Sequence, residues 1–125
     1  METTKQNALG SIHITDKAIS AIASQTALSI RHVCGLEANL AEAAAQRLGR
    51  GSLSRGSDTV LAGNEAEITV RLIVSGGCRI PDIALQVQKA VKEAVERLTG
   101  CTVSAVNVMV TGITFPADGA EEARP

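Results

Sequence analysis

The spacing of apolar residues changes twice between Glu67 and Thr111, and those two changes restrict the fold more than any other feature. Ile68, Val70, Leu72 and Val74 recur every second residue, with Glu67, Thr69, Arg71 and Ile73 around them. A period of two puts alternate side chains on opposite faces, which is a strand. Ser75-Gly76-Gly77-Cys78 ends it. Ile83, Val87, Ala90, Val91, Ala94, Val95 and Leu98 then follow at steps of three and four, the stripe of an amphipathic helix. Pro81 suits the first helical position, where its missing N–H removes no intrahelical bond. Asp82 sits at the positive end of the helix dipole, and Gly100 suits a left-handed C-cap. Val106, Val108 and Val110 restore the period of two, with Asn107, Met109 and Thr111 on the other face.

The first half repeats this pattern less sharply. Residues 1–9 are polar and read as a flexible lead-in. Ile12 and Ile14 alternate in a short strand, and Thr15 or Asp16 can cap the helix that follows. Ile19, Ile22, Ala23, Ala27 and Ile30 make its apolar face, with Lys17, Ser20, Ser24, Gln25 and Arg31 mostly opposite. Val33 to Leu40 suggests a second, weak strand. Glu42 to Leu48 has helix propensity. Residues 46–63 read as a mobile loop, with a turn signal at Leu61-Ala62-Gly63-Asn64. Residues 116–125 read as a disordered tail. The expected architecture is one α+β domain over residues 10–115, strand-helix-strand-strand-helix-strand, with two amphipathic helices on one face of a small mixed sheet. The sheet's other face is polar except for Ile73 and Met109, which marks those two residues for contact with a partner or a second copy.

Composition narrows the function. Apolar residues make up 45% of the 125, yet there is no Trp or Tyr and one Phe, Phe115. Aromatic rings stack bases, sugars and flat cofactors, so their scarcity argues against all three ligands. A net charge of −1 leaves no electrostatic footprint for nucleic acid. Cys34, Cys78 and Cys101 are far apart and odd in number, a poor disulfide framework that suits reduced thiols in the cytoplasm. No apolar run reaches the roughly 18–20 residues that span a bilayer, and the N-terminus lacks the apolar stretch of a signal peptide. Direct membrane insertion is not expected.

No constellation of reactive groups emerges. His13 and Asp16 flank a strand-to-helix corner, where the plain reading is a strand histidine beside a helix cap. His32 and Cys34 straddle a helix end, where a histidine already meets the negative end of the dipole. His13, His32, Cys34, Cys78 and Cys101 lack structural-zinc spacing. The glycine-rich run from Gly49 lacks the Gly-Lys-Ser/Thr ending of a phosphate loop. Its cations, Arg47, Arg50 and Arg55, read instead as contacts for an acidic partner. The expectation is a non-enzyme with no catalytic residue, cofactor or metal.

Three stretches resemble the alkaline-shock-protein family, the envelope-stress and general-stress proteins of Gram-positive bacteria. Gly10-Ser11-Ile12 through Val33-Cys34-Gly35-Leu36 is similar to the family's opening strand, helix and turn. Ile68 through Ile83 is similar to its strand, glycine turn and Ile-Pro helix start. Val87 to Phe115, with Leu98-Thr99-Gly100 and Val106-Asn107-Val108, is the most specific match. Ser75-Gly76 stands where the family commonly has Tyr-Gly, and Glu42–Gly63 matches no family stretch. The resemblance implies a cytoplasmic protein-binding or scaffolding role in cell-envelope stress or homeostasis. It also implies protein partners, a membrane-anchored one among them, and a possible homo-oligomer. The alternatives are a regulator of fatty-acid synthesis that binds a protein or metabolite and, with less support, an RNA-binding module.

Overall fold

A computed structural model describes residues 2–38 and 55–115, and its elements follow from the patterns above with two additions. Strands β1 (Glu2–Asn7) and β2 (Gly10–Thr15) precede helix α1 (Asp16–Leu28). Strands β3 (Val33–Leu36), β4 (Ser57–Ala62) and β5 (Glu65–Ser75) come next, then helix α2 (Ile80–Thr99) and strand β6 (Thr102–Thr114). The fold is α+β, and it contains the expected strand-helix-strand-strand-helix-strand order plus β1 and β4.

β5 is the central strand. β6 runs parallel to it along its whole length on one side, which a crossover through α2 makes possible. On the other side β3 and β4 share one edge, both antiparallel: β4 pairs with Glu65–Val70 and β3 with Leu72–Val74. Ala66, Ile68, Val70, Leu72 and Val74 of β5 are fully buried under Ile19, Ala23 and Ala27 of α1 and Val87, Val91 and Val95 of α2. Both helices thus cover one face. Burying each of these valines, leucines and isoleucines contributes about 1.5–3 kcal/mol.

β6 carries two bulges, where its register against β5 shifts between Ala66 and Glu67 and between Leu72 and Ile73. A hydroxyl residue stands at each. Ser104 Oγ donates to the Ala66 carbonyl at 3.2 Å, and Thr111 Oγ1 to the Leu72 carbonyl at 3.3 Å. The side chains thus bond to the backbone where the ladder is interrupted.

The residues read as a flexible lead-in form β1 instead. Glu2–Asn7 pairs antiparallel with β2 in a hairpin separate from the main sheet. Only Thr3 of β1 is buried, and its hydroxyl donates to the Gly63 carbonyl at 2.7 Å. With a single threonine facing inward, β1 shows no apolar alternation. The loop expected at 46–63 is likewise corrected at its end, because 57–62 is β4. Two of its three inward residues, Ser57 and Thr59, are hydroxylic, and the third is Leu61. The two hydroxylic residues meet Ser20 and Ser24 of α1, which are buried rather than on the wet side as expected. Ser20 Oγ lies 2.7 Å from Thr59 Oγ1, and Ser24 Oγ lies 2.6 Å from Ser57 Oγ. Of the turn expected over Leu61-Ala62-Gly63-Asn64, only Gly63-Asn64 forms the β4–β5 hairpin turn, with Gly63 at φ +63, while Leu61 and Ala62 belong to β4. The helical propensity at Glu42–Leu48, the earlier part of the loop at 46–54 and the tail at 116–125 lie outside the described residues.

Candidate partner-binding surface

The outer face of the sheet, away from the helices, is built by the residues between the core positions. It changes character along β5. At one end stand Glu65, Glu67, Asp58 and Asn107, and Asn107 Nδ2 donates to Glu67 Oε2 at 3.0 Å. At the other end, Ile73 pairs with Gly35 of β3 on one side and Gly112 of β6 on the other. A β-carbon on Gly112 would meet only the Ile73 side chain, at 3.5 Å. One half-buried isoleucine therefore stands between two glycines, where the sheet is low enough for another backbone to approach. Met109, 52% exposed, pairs with Arg71 one row away. Ile73 and Met109 thus share one end of the face, while exposed Val60 stands beside Glu67 among the polar residues of the other.

Arg71 marks the boundary and stitches the sheet edge. Its backbone N–H donates to the Gly56 carbonyl at 2.9 Å, beside β4, and its carbonyl accepts from Glu37 N at 3.0 Å, beside β3. Its guanidinium repeats the link, with Nε donating to the Glu37 carbonyl at 2.8 Å and Nη1 to Asp58. This one residue ties together the two strands that share the edge of β5. Alternation placed it on the outer face, but nothing in the sequence told its register.

The expected cations divide differently. Arg47 and Arg50 lie outside the described residues. Arg55 is half-buried, and its carbonyl accepts from Ser24 Oγ at 3.0 Å. That bond ties its backbone to α1 rather than to the patch at Ile73 and Met109. The groups weighed for chemistry are dispersed. His13 meets Glu2, Thr4 and Ser11 across the β1–β2 hairpin, while Asp16 accepts from Lys17 N. His32 Nδ1 lies 3.2 Å from Ser75 Oγ, and Cys78 Sγ donates to the Ser75 carbonyl. Cys101 is buried against Thr3.

Beside the outer face runs the free edge of β6, which among the described residues pairs only with β5. Its first part is covered by α2. Gln88 Nε2 donates to the Val106 carbonyl at 3.1 Å and Lys92 Nζ to the Val103 carbonyl at 3.1 Å. Glu96 Oε2 accepts from Val103 N at 3.0 Å. That backbone bond, and then the Lys92 ammonium 3.0 Å away, hold the Glu96 carboxyl below its ordinary pKa. A carboxylate whose pKa is depressed by folding stabilises the fold above its unfolded pKa, and that contribution disappears as pH falls through the folded value. Melting temperature measured from about pH 6 down to about pH 3 should therefore fall more steeply in the natural protein than in Glu96→Gln. Parallel curves would show that Glu96 is not engaged.

The model of the alkaline-shock-protein-23 family, described as having cell envelope-related function, matches residues 4–115. The chain is 26% identical over 113 residues to the uncharacterized protein YqhY of Bacillus subtilis (strain 168), spanning 90% of this chain and 84% of that protein. It is 28% identical over 106 residues to the uncharacterized protein YloU of the same organism, spanning 83% and 88%. Among solved structures, a variant of the MamM CTD superposes with a TM-score of 0.48 at 12% identity, covering 77% of this chain and 93% of that one. No helix among the described residues is long and apolar enough to cross a membrane.

Proposed function

We propose, from the premise that this chain belongs to the alkaline-shock-protein family of cell envelope-related function, that it is a non-enzymatic scaffold which binds another protein through the apolar end of its outer sheet face. The observation that carries this reading is Ile73 set between Gly35 and Gly112, with Met109 one row away. An apolar residue flanked by bare backbone offers contact area without bulk, and a partly exposed apolar cluster rimmed by polar groups is the usual form of a protein contact site. The reading places the protein in the cytoplasm, linked to envelope stress or homeostasis. A membrane-anchored partner would bring it to the envelope.

The test is a pair of substitutions that leave the core untouched. In lysate of the native host, the natural protein should travel in a complex larger than itself on size-exclusion chromatography. Ile73→Lys and Met109→Lys should each shift it to its free size, because a charge at the centre of a desolvated contact weakens binding by about tenfold or more. A complex that survives both changes would remove the outer face from the account.

A further inference from the structure

The polar cover that α2 places over β6 stops partway along the strand. On the side of the helix toward the sheet edge, Gln88, Lys92 and Glu96 follow at steps of four, and all three bond to the backbone at Val103 or Val106. α2 runs back along β6, so its earlier turns stand beside the later part of the strand. One turn before Gln88 that side carries Ala84 and Leu85, whose side chains have no group to offer the backbone. By the alternation of a strand, the amides and carbonyls that point away from β5 after Val106 are those of Val108 and Val110. Thr114 gives its carbonyl to Gly76 N at 2.9 Å, which leaves Ile113 pointing outward again. Among the described residues, no other strand pairs along this stretch of the edge and no side chain bonds to it.

We infer that the edge at 108–113 takes up an extended, uncharged, apolar segment of another protein as an additional strand. This rests on the reading of the chain as a binding protein, and it adds a second surface that adjoins the outer face at Met109. The groups left open are a row of backbone donors and acceptors. A strand can satisfy such a row, whereas a helix spends its own backbone groups internally. The walls set the chemistry of the segment. On the helix side it would lie between Leu85, 48% exposed, and Ile113, 45% exposed, and on the outer face it would lie beside Met109. Natural edge strands are usually guarded by charge or proline, yet no residue from Thr102 to Thr114 is charged or a proline. At the covered end, Lys92 and Glu96 pair with each other at 3.0 Å. A charged side chain on the incoming segment would therefore lose water without gaining a counter-charge. The open stretch is about 20 Å long at about 3.3 Å per residue, the length of an ordinary strand. A second copy fits it poorly, because its β6 would bring its own α2 to the junction. Paired strands lie about 4.8 Å apart, while packed helices need about 8–10 Å, and α2 already reaches over the edge through Gln88 and Lys92. A bare segment brings no helix with it.

The experiment pans random displayed peptides of about ten residues, long enough to fill the open stretch, against the purified full chain. Selected sequences should be poor in charge and proline and rich in Val, Ile and Thr. In synthetic copies, methylating alternate backbone nitrogens should abolish binding in one phase of the alternation and spare it in the other, as only a strand requires. Leu85→Lys, a change at a half-exposed helix position, should weaken binding about tenfold or more with an unchanged melting temperature. Ile73→Lys should leave binding as it is. Hydrogen exchange at the Val108 and Val110 amides should slow when peptide is added. Failure to select any peptide overturns the inference, as does binding that survives Leu85→Lys or shows no period of two under methylation. Exchange at Val108 and Val110 that slows with concentration of the chain alone would give the edge to a second copy and overturn it too. Peptides released by Ile73→Lys and kept by Leu85→Lys would sink the edge inference while supporting the outer-face reading.

Discussion

Gly56→Ala is expected to destabilise the domain by about 2–5 kcal/mol, the largest single effect among these predictions. Gly56 adopts φ +91, which L side chains rarely take up. A β-carbon built there would overlap Leu36 Cβ, with the rest of the Leu36 side chain close behind. Leu36 cannot swing clear. The atom in the way is bonded directly to the β3 backbone, and the side chain is buried in the core. The Gly56 carbonyl is also held by Arg71 N, so the backbone cannot shift without opening the stitch between β3, β4 and β5. Stabilities of such domains are about 5–15 kcal/mol, so the loss would be a large part of the whole. Denaturant unfolding should show a lower midpoint with an unchanged slope. A loss below about 1 kcal/mol would mean that the two strands do not abut in this way.

The second large effect concerns the hydroxyl seam between α1 and β4. Ser57 Oγ donates to the Ser20 carbonyl at 2.8 Å and lies 2.6 Å from Ser24 Oγ. A hydroxyl has one proton to give. If that of Ser57 goes to Ser20, the Ser24 proton goes to Ser57 or to the Arg55 carbonyl 3.0 Å away. Both serines are almost fully buried. Ser57→Ala should therefore cost about 1–3 kcal/mol, because it removes two buried hydrogen bonds, to Ser24 and to the Ser20 carbonyl. Ser24→Ala should cost a similar amount. The double variant should cost clearly less than the sum, since the bond between the two hydroxyls is lost in either single variant and is counted twice in the sum. Strict additivity in urea unfolding would show that the two hydroxyls do not share a bond.

These same residues explain what the sequence concealed. β5, α2 and β6 were legible because their inward positions are aliphatic and their period is unambiguous. β1 and β4 were not: β1 turns only Thr3 inward among polar residues, and β4 begins with inward hydroxyls at Ser57 and Thr59 and ends in Val60-Leu61-Ala62, which is apolar on both faces and shows no alternation. Ser20 and Ser24 were assigned to water for the same reason: helical spacing orders residues around an axis but cannot reveal that a strand of serine and threonine covers that side. On the outer face, alternation alone placed Ile73 and Met109. The glycines beside Ile73 and the stitching by Arg71 depended on cross-strand register, including two bulges in β6 that periodicity does not record. The reach of Gln88, Lys92 and Glu96 to the β6 edge was hidden too. On a helix wheel they read as solvent-facing polar residues.

The account turns on which surface meets another protein. Site-specific photo-crosslinking in the native host tests it most directly, with the reactive residue placed in turn at positions 73 and 109 and, as controls, at the solvent-facing helix positions 89 and 93. Adducts with another protein from 73 and 109, and none from 89 or 93, are the result the account predicts. Adducts from the helix positions with none from the outer face would contradict it.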